Sequence, residues 1–190
     1  MICAEWLHRY AFTLHRFQNN KEKNINMPTI NGIGFENFRV FQNRSDFELA
    51  PITVLTGGNS SGKSTIIKAL KLLQNYWSNP DGQSSLYFEG GNHQLGNFNL
   101  SLSNKTEKEE IIVRYHSSQH ILFGNIYVEN VFELDKNNSM ENGILKRSAI
   151  YQADQNEDKL LYETKIENNQ RYYYVNKEEI IDKIIPDLKK

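Results

Sequence analysis

The sequence has a single cysteine, Cys3, in 190 residues. No intramolecular disulfide framework can be built from it, which excludes the stapled secreted scaffolds and fits a reducing, cytoplasmic compartment. An excess of one charge is also missing: 22 Lys and Arg face 23 Asp and Glu, for a formal net charge of −1. No general attraction to nucleic acid or a membrane surface follows from that balance, and any DNA contact needs a local patch. No apolar run approaches the length of a membrane span, and no internal repeat is visible. The first residues lack the uninterrupted apolar core and small-residue cleavage site of a signal peptide. What remains, 38% hydrophobic and 12% aromatic residues, suffices for one domain, or one domain with an extension.

The chain divides by composition. In residues 1–26, Trp6, Leu7, Tyr10, Phe12, Leu14 and Phe17 are interrupted by Glu5, His8, Arg9, His15 and Arg16, and Asn19 to Asn26 is rich in Lys and Asn. This stretch reads as a loosely ordered leader, or as the product of a start codon assigned ahead of Met27, in preference to a short partner-binding helix. The organised part spans 27–190. Ile33, Phe35, Phe38, Val40 and Phe41 suggest a strand, Asn43 to Asp46 a turn, and Phe47 to Leu49 a second strand, so a hairpin is expected.

The densest signal follows. Pro51-Ile-Thr-Val-Leu-Thr56 is short, apolar and β-branched, and predicts a buried strand. Gly57-Gly-Asn-Ser-Ser-Gly-Lys-Ser64 then fits the pattern G-x-x-x-x-G-K-[ST] at every fixed position. Ile66, Ile67, Leu70 and Leu73 recur at helical spacing after it, so the helix of the 51–77 unit carries the loop at its start. A triphosphate needs many converging N–H donors. Glycines at 57 and 62 let the backbone curl so that the amides of Gly57, Gly58, Asn59, Ser60, Ser61 and Gly62 can point inward. The helix start adds free N–H groups and the positive end of its dipole. Lys63 can reach the β- and γ-phosphates as a mobile charge, the Ser64 hydroxyl can ligate Mg²⁺, and Thr65 is placed to offer a hydroxyl or amide to the α-phosphate.

Gly34-Phe-Glu-Asn-Phe-Arg-Val-Phe41 and Phe47 to Thr65 together resemble the N-terminus of ABC-type AAA family ATPases, a group that includes the RecF and SMC proteins and the ATPase part of OLD-type nucleases. Asn59, Ser61 and Thr65 fall on family positions beyond the general loop pattern. Leu86 to Phe98 is similar to a strand, turn and Leu-Gly-x-Phe element of one bacterial branch. The resemblance implies an α/β P-loop NTPase fold, the N-terminal half of an ATPase head with a mainly antiparallel β-region, and ATP with Mg²⁺ as ligands. It places Arg39 near the nucleotide, against the alternative of a solvated strand charge. It also offers Gln94 as a link to Mg²⁺, although a plain loop glutamine is the preferred reading.

Strand-like segments are expected over the 85–175 region: Ser85 to Glu89, Phe98 to Ser103, Glu110 to His116, Ile121 to Glu129, Ala149 to Ala153, Leu160 to Ile166 and Arg171 to Val175. Residues 177–190 read as a helix through Ile180, Ile181, Ile184 and Ile185. An ABC-type ATPase also needs an apolar strand ending in Asp-Glu and a Leu-Ser-Gly-Gly signature. Val131-Phe-Glu-Leu-Asp135 alternates and is followed by Lys136, so it reads as an exposed strand end, and Leu100 to Asn104 is no signature. The chain therefore looks like the N-terminal half of a head, completed by another chain or by a missing C-terminal half. With no neighbours for the loop strand, Ile52, Val54, Leu55 and one face of the loop helix are expected to lie partly uncovered.

Other constellations are weaker. Asn104-Lys-Thr-Glu107 departs from the guanine-reading Asn-Lys-x-Asp, and His116 with His120 lacks a cysteine pair and is expected to bridge two strands. Two function classes remain: an ATP hydrolase half acting in DNA maintenance or phage defence, and a non-catalytic ATP-binding fragment that binds nucleotide without turnover.

Overall fold

A computed structural model describes residues 29–78, 85–90, 93–104, 107–120, 123–136, 141–154, 157–167 and 170–176. The expected leader and the expected C-terminal helix lie outside these residues. The chain enters through β1 (Thr29–Glu36), turns, and returns as β2 (Ser45–Glu48), an antiparallel hairpin as anticipated. The long helix α1 (Lys63–Ser78) follows the loop. Three two-residue strands, β3 (Ser85–Leu86), β4 (Glu89–Gly90) and β5 (His93–Gln94), lead to a one-turn helix α2 (Phe98–Ser101). A meander closes the chain: β6 (Glu110–His120), β7 (Gly124–Leu134), β8 (Gly143–Gln152), β9 (Lys159–Glu167) and β10 (Gln170–Val175). The sheet order is β10-β9-β8-β7-β6-β1-β2, with β3 paired to the start of β8. Every pairing among the described residues is antiparallel.

Two-residue alternation sorts the side chains. On one face Ile33, Phe35, Ile111, Val113, Phe132 and Leu145 meet Ala69, Leu72, Leu73 and Tyr76 of α1 in an apolar cluster. The buried positions of α1, from Thr65 and Ile66 through Tyr76, recur every three or four residues, so one helical stripe faces the sheet. Tyr76 packs edge-on against Phe132 with centroids 5.3 Å apart. Farther along the same face, Tyr115, Ile126, Val128, Ile150, Leu161 and Tyr162 form a second cluster, and Trp77 packs against both. Between the clusters Asn130, Ser148 and Thr164 lie directly opposite one another across β7, β8 and β9, all buried.

The opposite face is charged. Arg114 donates to Glu36 at 2.9 Å and to Glu129 at 2.7 Å, and Arg147 donates to Glu129 at 2.7 Å and to Glu163 at 2.5 Å. This ladder crosses β1, β6, β7, β8 and β9. Glycine makes room for it: a Cβ on Gly34 would fall 1.9 Å from Asp46 Oδ1, and one on Gly32 would fall 3.1 Å from His116 Cβ.

Several expectations change. Residues 51–56 open with a bend and are no strand, since no strand among the described residues pairs with them; Ile52 is 85% and Val54 76% exposed. Leu55 on this segment, and Ile67 and Leu70 on α1, are exposed too, as the expectation of uncovered neighbours anticipated, while Ala69, Leu72 and Tyr76 take the buried stripe. Phe98 to Ser103 is helical at its start, because the Asn97 side chain accepts from Leu100 N–H at 2.8 Å and caps α2. Val131 and Phe132 are buried inside β7, so Val131 to Asp135 is not an exposed end. Residues 116–120 all lie within β6, so this segment is not a link between two strands.

Candidate nucleotide-binding loop

The loop lies on the surface between the exposed 51–56 segment and α1. Gly57, Ser60 and Gly62 have φ of 140°, 64° and 93°. Glycine adopts such values freely; at Ser60 they require the left-handed region that side chains rarely enter. From Ser60 to Lys63 the sign of φ alternates, a backbone that can turn successive amides to one side. The first helical hydrogen bond runs from Ile66 N–H to Gly62 O at 3.0 Å. The amides of Lys63, Ser64 and Thr65 therefore precede the helical ladder and have no partner within it. No carboxylate occupies the first turn of α1. The arrangement puts free donors at the positive end of a 16-residue helix.

Lys63 folds back over the loop. Its ammonium donates to Gly57 O at 2.8 Å, to Gly58 O and to Ser61 Oγ at 3.2 Å. It thus crosses the mouth of the loop on carbonyls that a phosphate oxygen can replace. Asn59, Ser60, Ser61 and Ser64 are exposed, whereas Thr65 turns into the core.

The loop is seated on the turn that follows β1. A Cβ on Gly62 would lie 3.1 Å from Val40 Cγ2 and from Phe41 Cζ, so a side chain here would press on the turn at a φ of 93° that already favours glycine. The turn is held by Phe38 N–H to Phe41 O at 3.0 Å and its return bond at 2.9 Å. Arg39, at φ 52°, is the residue beside this seat. Its backbone N–H donates to Ser101 O at 2.8 Å and its guanidinium to Leu95 O at 2.5 Å, while Nε is buried without a hydrogen-bond partner among the described residues. Burial holds its pKa below the ordinary guanidinium value. Arg39 is therefore no solvated strand charge; it ties the turn under the loop to the segment before α2. Gln94, exposed on β5 opposite Glu89, lies one residue before the carbonyl that Arg39 holds.

In the sequence Asn37 figures only as part of the Asn-Phe-Arg resemblance, with no role of its own, and it proves central to this seat. Its side chain donates to Lys108 O and Glu110 O, both at 2.6 Å, and accepts from Ser103 N–H at 3.2 Å. The signal was there in its type, since asparagine tolerates the left-handed φ of 54° found here.

Residues 52–121 match the family model described as AAA domain, putative AbiEii toxin, Type IV TA system. That match supports a P-loop AAA-type ATPase-like domain, and it runs from the flank of the loop to just past β6. Comparisons with curated proteins and with solved structures return no match. Among the described residues no three His, Cys, Asp or Glu are gathered as metal ligands, and no helix is long and apolar enough to cross a membrane.

Proposed function

We propose that the chain binds Mg²⁺-ATP through Gly57 to Thr65 and acts as the N-terminal half of an ABC-type AAA family ATPase of RecF, SMC or OLD type. The observation that carries this reading is the loop backbone: positive φ at Gly57, Ser60 and Gly62 ahead of three amides outside the helical ladder. Those amides would receive phosphate oxygens, Lys63 would leave the Gly57 and Gly58 carbonyls for the β- and γ-phosphates, and Ser64 would hold Mg²⁺. Bound Mg²⁺ supplies charge neutralisation across the β- and γ-oxygens. Arg39 and Gln94 are the further candidates beside the site. DNA maintenance, phage defence and the toxin–antitoxin setting named in the matched model's description are the contexts for such an ATPase.

A second reading, nucleotide binding without turnover by this chain alone, is favoured by β7. Val131 to Asp135 ends a strand antiparallel to both neighbours, which is not the parallel strand that brings an acid to a phosphate loop. The acid and the signature motif would come from another polypeptide or from a C-terminal half. Its strands would cover Ile52, Val54 and Leu55, now exposed.

Titration calorimetry tests the binding step. Lys63→Ala should weaken Mg²⁺-ATP by about tenfold or more, equivalent to about 1.4 kcal/mol. Equal affinity in both proteins would refute the assignment. A phosphate-release assay separates the two readings: turnover above about 1 s⁻¹ that vanishes in Lys63→Ala would mean that the chain carries its own base.

A further inference from the structure

The sheet ends at β10, which pairs with β9 on one side and with nothing on the other among the described residues. Two observations fix where its backbone groups point. Glu167 and Gln170, through to Tyr162 and Val175, are cross-strand partners without a register shift. At the far end the Asn176 N–H donates to Leu161 O at 2.9 Å. Direction alternates by residue in an antiparallel ladder. Gln170, Tyr172, Tyr174 and Asn176 thus turn their amides and carbonyls to β9, and Arg171, Tyr173 and Val175 turn theirs outward. The same strand exposes three successive rings: Tyr172 at 44%, Tyr173 at 58% and Tyr174 at 49%.

We infer that β10 is a self-pairing edge, on which a second copy of this chain adds its own β10 antiparallel about Tyr173. This register sets Tyr173 against the partner's Tyr173 and Arg171 against the partner's Val175, so every outward residue meets an outward residue. A slip of one residue would oppose outward groups to inward ones, and a slip of two would leave unpaired an outward residue on each strand. Tyr172 then lies across from the partner's Tyr174 on the charged face, and aromatic pairs are the favourable cross-strand contacts. The charge pattern agrees. β10 carries Arg171 and no carboxylate, so antiparallel pairing puts the two guanidiniums at opposite ends, each diagonal to a tyrosine ring of the other copy. The opposite edge is guarded: β2 is four residues long and carries Asp46 and Glu48, which self-pairing would bring together.

This edge is remote in sequence from the nucleotide loop, and the inference does not depend on ATP. Sedimentation of the full chain without nucleotide tests it. The chain should show a reversible monomer–dimer equilibrium. Tyr173→Pro removes only an outward amide, and Tyr173→Lys sets like charges against each other across the axis. Each should raise the dimer dissociation constant about tenfold or more with an unchanged circular dichroism spectrum, whereas Ile52→Asp at the loop flank should leave the dimer intact. A wild type that stays monomeric at high concentration would overturn the inference. So would a dimer that persists in Tyr173→Lys, that is lost in Ile52→Asp instead, or that forms only with Mg²⁺-ATP.

Discussion

Asn37 is 1% exposed at the end of β1 and spans 71 and 73 positions of chain to reach the carbonyls of Lys108 and Glu110. Its own carbonyl and its Oδ1 both face the Ser103 N–H, at 3.4 and 3.2 Å. Removing this side chain takes the amide donor from the Lys108 and Glu110 carbonyls and leaves the Ser103 N–H only the longer bond to the Asn37 carbonyl. Asn37→Ala should therefore cost about 2–3 kcal/mol, read as a lowered midpoint in urea with an unchanged slope. Because the turn it anchors supports Gly62, the same variant should also weaken nucleotide binding. The contrast with the loop explains what a sequence can display at this scale. Gly57 to Ser64 is a local device, so its residue types and spacing carry the chemistry by themselves. The partners of Asn37, and of Arg39 on Leu95 O, lie far along the chain, where no local pattern records them.

Among the elements, the β6–β10 meander was legible because alternation is a local consequence of the pleat: Ile111, Val113 and Tyr115 face α1 while Arg114 and His116 face away. Its limits were less legible, since β7 and β8 extend well beyond the expected segments. Phe98-Asn-Leu-Ser-Leu102 alternates like a strand, and only the cap from Asn97 decides for helix. Residues 52–56 fail for the opposite reason, since their β-branched composition suits a strand but a strand also needs a neighbour. The charged ladder gives the prediction at this scale. Glu129, with a side chain 13% exposed, receives both Arg114 and Arg147. Glu129→Ala leaves the Arg114 guanidinium, 5% exposed, with only Glu36, so a loss of about 3 kcal/mol is expected. Chemical denaturation checks it, and the double variant Arg114→Met, Glu129→Leu should regain much of the loss.

For the molecule as a whole, tyrosines set the alkaline limit. Burial pushes Tyr162 up to about 12 from 10.0, and burial also raises Tyr76, Tyr115 and Tyr127, the last with help from Asp158. In each case the folded chain keeps a proton that the unfolded chain gives up near pH 10. Stability is therefore fully present below pH 10 and falls as pH rises toward and through 12. Melting temperatures measured along this window should drop in step with the appearance of phenolate absorbance. A flat profile would show that these phenols ionise in place. Tyr76 of α1 packs on Phe132 and Trp77 on Tyr115, so ionisation of Tyr76 or Tyr115 would part the helix from the sheet.

The pairing of β1 with β6, which joins Thr29 to Ser118 and Phe35 to Val113, has a consequence for the order in which the protein is made. The meander strands each pair with the next one along the chain and can zip as they emerge from the ribosome. β1 emerges first and has only β2 to hold until its central neighbour has been synthesised. The Val40–Phe41 seat beneath the loop must wait with it, because Asn37 needs Lys108, Glu110 and Ser103 to fix that turn. Pulse-labelling during refolding should accordingly protect the amides of Val128 and Val131 before those of Ile33 and Phe35, and a nascent chain halted ahead of β6 should not yet hold nucleotide.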